Sequence, residues 1–83
     1  LAYNILYKES VKKDLQKIDK KEVGKILDAL ESALTQNPTK GKRLTGNYKG
    51  LYSYRLRNYR VVYTILRESV LVLRIGHRKD VYK

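Results

Sequence analysis

Leu51-Tyr52-Ser53-Tyr54-Arg55-Leu56-Arg57-Asn58-Tyr59-Arg60-Val61-Val62-Tyr63-Thr64-Ile65-Leu66 decides the fold. Two runs rich in β-branched and aromatic residues, Leu51–Arg57 and Tyr59–Leu66, flank a tight connection at Asn58, and this pattern predicts an antiparallel hairpin. A third run, Val70–Ile75, follows Arg67-Glu68-Ser69 and extends the hairpin into a meander. Alternation sorts the two faces of these strands. Tyr52, Tyr54, Leu56, Tyr59, Val61, Tyr63, Ile65, Leu71, Leu73 and Ile75 form the set expected to meet a helical layer. Ser53, Arg55, Arg57, Arg60, Val62, Thr64, Val72, Arg74 and Gly76 form the other set, which is expected to carry its guanidiniums on an open face without a carboxylate.

Working outward from this stretch, Thr39 to Gly50 is rich in Lys, Gly, Thr and Asn and reads as loop with one short edge strand around Leu44. Asn37-Pro38 stops a helix, because the residue before proline resists the helical region. That helix opens at Asp19-Lys20-Lys21-Glu22, close to a capping box, and its apolar stripe is Val23, Ile26, Leu27, Leu30 and Leu34. A shorter helix precedes it, with Ser10 as its N-cap, Val11, Leu15 and Ile18 on one face and its end near Ile18. Tyr3 to Tyr7 reads as a first strand. The expected architecture is α+β: an N-terminal strand, an αα-hairpin, then an antiparallel β-meander (βααβββ), with the helices packed on one face of the sheet. Residues 1–83 read as a single domain.

Charge bounds the function. Lysine and arginine number 19 against 8 acids, a net charge of +11, which favours a polyanion: nucleic acid, an anionic membrane or an acidic protein segment. With no cysteine and one histidine the chain lacks the ligands of a usual metal site, so no metal and no cofactor is expected. The stretch around Gly41 and Gly46 lacks the Lys-Ser/Thr ending of a phosphate-binding P-loop, and no nucleophile elbow is present. No apolar run reaches the ~18 residues that would span a bilayer, and no leader pattern stands at the N-terminus; a cytoplasmic protein is expected.

The arginines of the open face point to phosphate. A planar guanidinium binds phosphate bidentately and stacks on bases, whereas like charges on adjacent strands cost stability unless an anion or an acid partner meets them. The tail Gly76-His77-Arg78-Lys79-Asp80-Val81-Tyr82-Lys83 adds a further arginine in phase with Arg74 and Gly76, the lone histidine, and a tyrosine able to stack or to move a proton. The phase of His77 points it to the helix side. The helical lysines Lys12, Lys13, Lys17, Lys20, Lys21 and Lys25 fit either contact with RNA or a solvated face.

The order and spacing of several short motifs carry a resemblance to a known family. These are Lys13-Asp14-Leu15, Asn37-Pro38, Lys42-Arg43-Leu44-Thr45-Gly46, Gly50-Leu51-Tyr52, Tyr54-Arg55-Leu56-Arg57, Tyr59-Arg60-Val61-Val62-Tyr63 and Leu73 through Tyr82. Over essentially its whole length the chain resembles the RelE mRNA interferases of the RelE/ParE toxin superfamily. The resemblance implies the toxin of a type II toxin-antitoxin system, a metal-independent endoribonuclease that cuts mRNA in the ribosomal A site. It implies as partners a cognate RelB-like antitoxin, mRNA and the ribosome with its 16S-type rRNA, and no membrane; the toxin is a monomeric fold inside a hetero-oligomeric complex. Carried over by position, it implies Arg55, Arg60, Arg78 and Tyr82 as catalytic, His77 as a further acid or base, and Ser53, Arg57, Lys42 and Arg43 as substrate-binding. Ser53 and His77 both stand where the best-studied type carries lysine, and the tail between Arg78 and Tyr82 is two residues shorter. Two other readings stand beside this one: a ParE-like inhibitor of DNA gyrase, and a noncatalytic nucleic-acid- or antitoxin-binding relic.

Overall fold

A computed structural model describes residues 3–77 and 79. Its elements are β1 (Asn4–Tyr7), α1 (Glu9–Gln16), α2 (Lys20–Gln36), β2 (Lys42–Arg43), a 3-10 turn (Gly46–Tyr48), β3 (Tyr52–Leu56), β4 (Tyr59–Leu66) and β5 (Ser69–His77). The strands form one sheet in the order β1-β5-β4-β3-β2. The β3-β4-β5 meander is antiparallel as expected, and β2 adds antiparallel to β3. β1 joins the opposite edge parallel to β5, so the sheet is mixed. The short edge strand lies at Lys42–Arg43, just before the Leu44 position read from sequence.

The helices pack on one face. Val11 and Ile18 from the α1 region and Ile26, Leu30 and Leu34 from α2 meet Val61, Tyr63, Val70, Val72 and Ile75 of the sheet in one buried cluster. Burial of such side chains supplies about 1.5–3 kcal/mol each, the dominant favourable contribution in a domain of this size. Asp19 caps α2 by accepting from the Lys21 N–H at 3.0 Å, and Asn37 ends it next to Pro38. The N-cap of α1 is Lys8 rather than Ser10. The Lys8 N–H is held by the Val72 carbonyl at 2.9 Å, so the chain turns into the helix two residues earlier than the capping preference indicated.

Turns of two residues join the meander, and each begins with an arginine in the left-handed region, Arg57 at φ 57° and Arg67 at φ 53°. A side chain in that region costs about 1–2 kcal/mol, which the ladders on either side outweigh.

β5 departs from simple alternation. Val62 lies opposite Arg74 but Tyr63 lies opposite Val72, so Leu73 is an extra residue, a β-bulge. The bulge reverses the phase of the strand's first half. Val70 and Val72 enter the core, whereas Leu71 and Leu73, expected there, are only half-buried. Ile75, after the bulge, returns to the core as expected.

β1 covers β5 only from Ser69 to Val72. Beyond that point α1 lies along β5, and its side chains take the place of a strand. Ser10 Oγ donates to the Leu73 carbonyl at 2.8 Å, and the Asp14 carboxylate accepts from the Ile75 N–H at 3.0 Å. Among the described residues, no helix is long and apolar enough to cross a membrane.

Candidate functional site: a basic hollow on the open face

Ser53, Arg55 and Arg60 emerge from β3 and β4 on the side away from the helices. Arg55 is the direct cross-strand partner of Arg60, and Ser53 is the partner of both Val62 and Lys42. Directly opposed residues have Cα atoms about 4.5–5.5 Å apart, so the two guanidinium stems start side by side. On its other flank Arg60 faces Gly76, which brings no side chain over it. These residues line an open hollow of about 690 Å³ with Lys40, Gly41, Lys42, Leu44, Thr45, Tyr48 and Tyr54. None of the described residues lining it is acidic. Its volume falls in the range of about 300–1,000 Å³ typical of small-molecule sites.

The wall carrying Lys40 and Lys42 is fixed from below by Tyr63. This side chain is fully buried, stacks on Tyr52 with ring centroids 5.2 Å apart, and donates its hydroxyl to the Pro38 carbonyl at 2.7 Å. The same oxygen accepts from the Gly41 N–H at 3.0 Å. Burial raises the Tyr63 phenol above its usual value, opposed by the Gly41 hydrogen bond. Gly41 is bare of necessity: a Cβ there would lie 2.7 Å from the Tyr63 hydroxyl and 3.0 Å from the Ser53 carbonyl oxygen. Sequence reading missed Lys40, Tyr48 and this Tyr63–Gly41 clamp. The available signal was a tyrosine in the middle of an apolar strand, whose hydroxyl needs a partner once buried.

The structure divides the residues expected to share the open face. Ser53, Lys42, Arg55 and Arg60 come together in the hollow. Arg43, next to Lys42 but in the alternate phase, lines a second hollow of about 580 Å³ beside Tyr52 and Ile65. Arg57, at the turn, swings to the helix layer and pairs with Glu22 of α2 at 3.3 Å. Arg74 is bound to Asp14, donating from Nε at 2.9 Å and from Nη2 at 3.1 Å. The Asp14 hydrogen bond raises the Arg74 guanidinium above its usual value, against the effect of burial. The expectation of a carboxylate-free face with Arg57 and Arg74 exposed on it is therefore corrected: two neighbouring acids on the helices claim those two arginines. His77 lies on the helix side, as its phase indicated, with its ring 5.0 Å from that of Tyr59. Arg78 and Tyr82 lie outside the described residues.

The basic hollow on this sheet is a surface for an anion, and comparison with known proteins gives the class of the chain. The family model of the ParE toxin of the type II toxin-antitoxin system parDE matches residues 5–82. The chain belongs to this family of toxins, within the RelE/ParE toxin superfamily. Among solved structures it is similar to the toxin-antitoxin complex RelBE2 from Mycobacterium tuberculosis, with TM-score 0.87 and 26% identity over 94% of this chain and 100% of that one. It is similar in fold to the intact E. coli RelBE complex, with TM-score 0.71 and 24% identity over 92% of this chain and 96% of that one. E. coli YafQ, as the mutant H87Q, matches with TM-score 0.70 and 20% identity over 93% and 94% of the two chains. No curated protein sequence matches.

Proposed function

We propose that this type II toxin is a ribosome-dependent endoribonuclease that cleaves mRNA in the A site. The observation that carries the reading is the cross-strand Arg55–Arg60 pair in a hollow with Lys40 and Lys42 and with no acid among its described lining residues. Two guanidiniums set side by side can take one phosphodiester through bidentate, charge-assisted hydrogen bonds.

Cleavage follows from in-line chemistry. The 2′-oxygen attacks the adjacent phosphorus, the bond from phosphorus to the 5′-oxygen breaks, and a 2′,3′-cyclic phosphate forms. The proton leaves the 2′-hydroxyl, and another reaches the departing 5′-oxygen. Arg55 and Arg60 stabilise the charge that builds on the non-bridging oxygens; one preorganised donor of this kind contributes about 3–4 kcal/mol. Lys42 is the ladder partner of Ser53 and brings a cation beside the position where the resemblance implies one. Arg78 and Tyr82 complete the site in this proposal, as a second phosphate contact and as a stacking or proton-transfer group, while Arg57 and Arg74 serve the fold. His77, its ring tilted against that of Tyr59 on the other side of the sheet, is assigned no step.

A site made of cations orients RNA poorly in its reactive geometry. Alignment by the ribosome is worth up to about 7–11 kcal/mol, and this contribution makes the enzyme ribosome-dependent. A cytoplasmic location follows from that substrate. The partner that silences the toxin is a RelB-like antitoxin, in line with the complexes solved for its structural neighbours; its acidic segments would meet the net charge of +11.

Primer-extension mapping of transcript ends in a translating extract tests the reading. Wild type yields ends that depend on translation, Arg60→Ala yields none above background, and naked RNA is cut little. Equal cutting of naked and translated RNA contradicts ribosome dependence. The family model is named for ParE, and this favours inhibition of DNA gyrase as a second reading. A supercoiling assay in which the purified toxin stops gyrase, with no transcript cut, would establish that reading instead.

A further inference from the structure

The open face of the sheet has a second half, which the basic hollow does not use. Leu6 of β1, Leu71 of β5 and Thr64 of β4 lie on one rung of the ladder. Their chain neighbours Ile5, Tyr7, Val70, Val72, Tyr63 and Ile65 all belong to the core or pack against it. By alternation the rung stands on the side away from the helices. Leu66, two residues beyond Thr64, shares that face and is diagonal to Leu71, at a spacing of about 7–8 Å. Leu6 and Leu66 are each 49% exposed, Leu71 is half-buried, and none of the three joins the core cluster. Thr64 spends its hydroxyl on the Gly50 carbonyl at 2.9 Å, in the 44–51 loop that the Leu44 N–H closes by donating to the Leu51 carbonyl at 3.0 Å. Single exposed leucines are ordinary on a protein surface, whereas leucines adjoining across three strands form a contiguous apolar strip.

The strip and the hollow are two ends of one surface. Val62, two residues before Thr64 and opposite Ser53 of the hollow, stands between them on the same face. From β1 to β3 is three strand spacings, about 14 Å, the length of roughly ten residues of helix. At the far end stand the exposed Lys40, Lys42 and Arg55, none of which pairs with an acid among the described residues. We propose that Leu6, Leu66 and Leu71 are the apolar half of a docking surface for an amphipathic, acidic segment of the antitoxin. Its apolar side chains cover the leucines, and its carboxylates reach Lys40, Lys42 and Arg55. Charge complementarity selects this occupant. RNA would meet the cations but has no aliphatic side chain to cover three leucines. A second copy of this chain would cover leucines but brings the same cations and its own net charge of +11. The inference rests on the reading of the silencing partner as an antitoxin, and is independent of the cleavage chemistry.

The test is the affinity of the full toxin for its purified cognate antitoxin, measured by surface plasmon resonance at low and at high salt. Leu6→Ser and Leu66→Ser each bind about tenfold more weakly than wild type, by the same factor at both salt concentrations. Lys42→Ala also binds more weakly, but its deficit shrinks at high salt, because screening acts on the ionic half alone. Both leucines are half in solvent, so the serine variants unfold in urea as wild type does and cut transcripts at the wild-type rate. The wild-type complex gives the same answer without a substitution: the methyl resonances of Leu6, Leu66 and Leu71 shift when antitoxin binds. Serine variants that bind as tightly as wild type, with unshifted leucine methyls, overturn the proposal. So does a Lys42→Ala toxin with wild-type affinity at low salt, since the segment then does not cross to the hollow. Weakened leucine variants beside a wild type that cuts no transcript would refute the nuclease reading and leave the docking surface standing.

Discussion

At one border of the β4–β5 ladder, Arg74 gives two N–H groups to Asp14, which is 7% exposed and also takes the Ile75 N–H. A few residues away on β3 and β4, Arg55 and Arg60 stand opposite each other at a hollow with no described acidic lining residue. The same side-chain type does two different jobs on adjacent strands, and the neighbouring helix decides which. α1 runs along the exposed part of β5 and delivers a carboxylate, whereas among the described residues neither α1 nor α2 lines the hollow on β3 and β4. Arg74 is bound into the fold by Asp14, whereas Arg55 and Arg60 line a basic hollow that opens to solvent.

Substitutions on the two sides should separate activity from stability. On the hollow side, Arg60→Ala should lower mRNA cleavage about 10²–10³-fold, equivalent to about 3–4 kcal/mol of transition-state stabilisation, measured as initial rates in a translating extract. On the α1 side, Asp14→Ala should cost about 2–3 kcal/mol in urea unfolding, because it strands the Ile75 N–H and the Arg74 guanidinium together. A stability loss below about 0.5 kcal/mol would show that the Asp14–Arg74 pair does not hold the fold, and the contrast would be lost. Gly41→Ala, where the new Cβ meets the Tyr63 hydroxyl at 2.7 Å, should cost about 1–3 kcal/mol by the same measurement and also reduce cleavage, since the lysine wall moves. Breaking the exposed Arg57–Glu22 pair with Glu22→Gln should change stability by less than about 1 kcal/mol and leave cleavage unaltered.

Alkaline pH sharpens the picture at the half-buried Tyr7 and the buried Tyr63. Burial, then the hydrogen bond that Tyr7 donates to Glu31, hold its phenol far above the usual value of 10.0; Tyr63 is raised chiefly by burial. Because both folded values lie above the unfolded ones, the native state binds more protons at high pH. Their stabilisation is complete below about pH 10 and is lost as pH rises through the folded values. Urea midpoints between pH 9 and about 11 should fall less steeply in Tyr7→Phe than in wild type. An identical slope would mean that the Tyr7 proton is not retained by the fold.

Much of this was legible in the residues, because local rules and global packing agree there. Asn37-Pro38 ended α2, Asp19 capped it, and the 51–66 hairpin formed where the alternation placed it. Ser53, Arg55 and Arg60 share the face expected of them. The misreadings have physical causes. A bulge at Leu73 adds one residue to β5 and exchanges inside for outside, and a period-two pattern has no means of announcing an insertion. Ser10 is a good cap by type, but the Lys8 N–H bond to Val72 started the helix earlier. Arg57 and Arg74 found Glu22 and Asp14, residues 35 and 60 positions away, and such tertiary pairs leave no mark in local sequence. Lys40 and Tyr48 looked like loop residues until the Tyr63 clamp and the closed 44–51 loop brought them to the hollow.

The most direct measurement is the cleavage rate of Arg60→Ala on translated mRNA beside its urea unfolding curve, both from one preparation. The account predicts a cooperative transition close to that of wild type and a rate at least about 100-fold lower. A folded Arg60→Ala that cuts at the wild-type rate would contradict it.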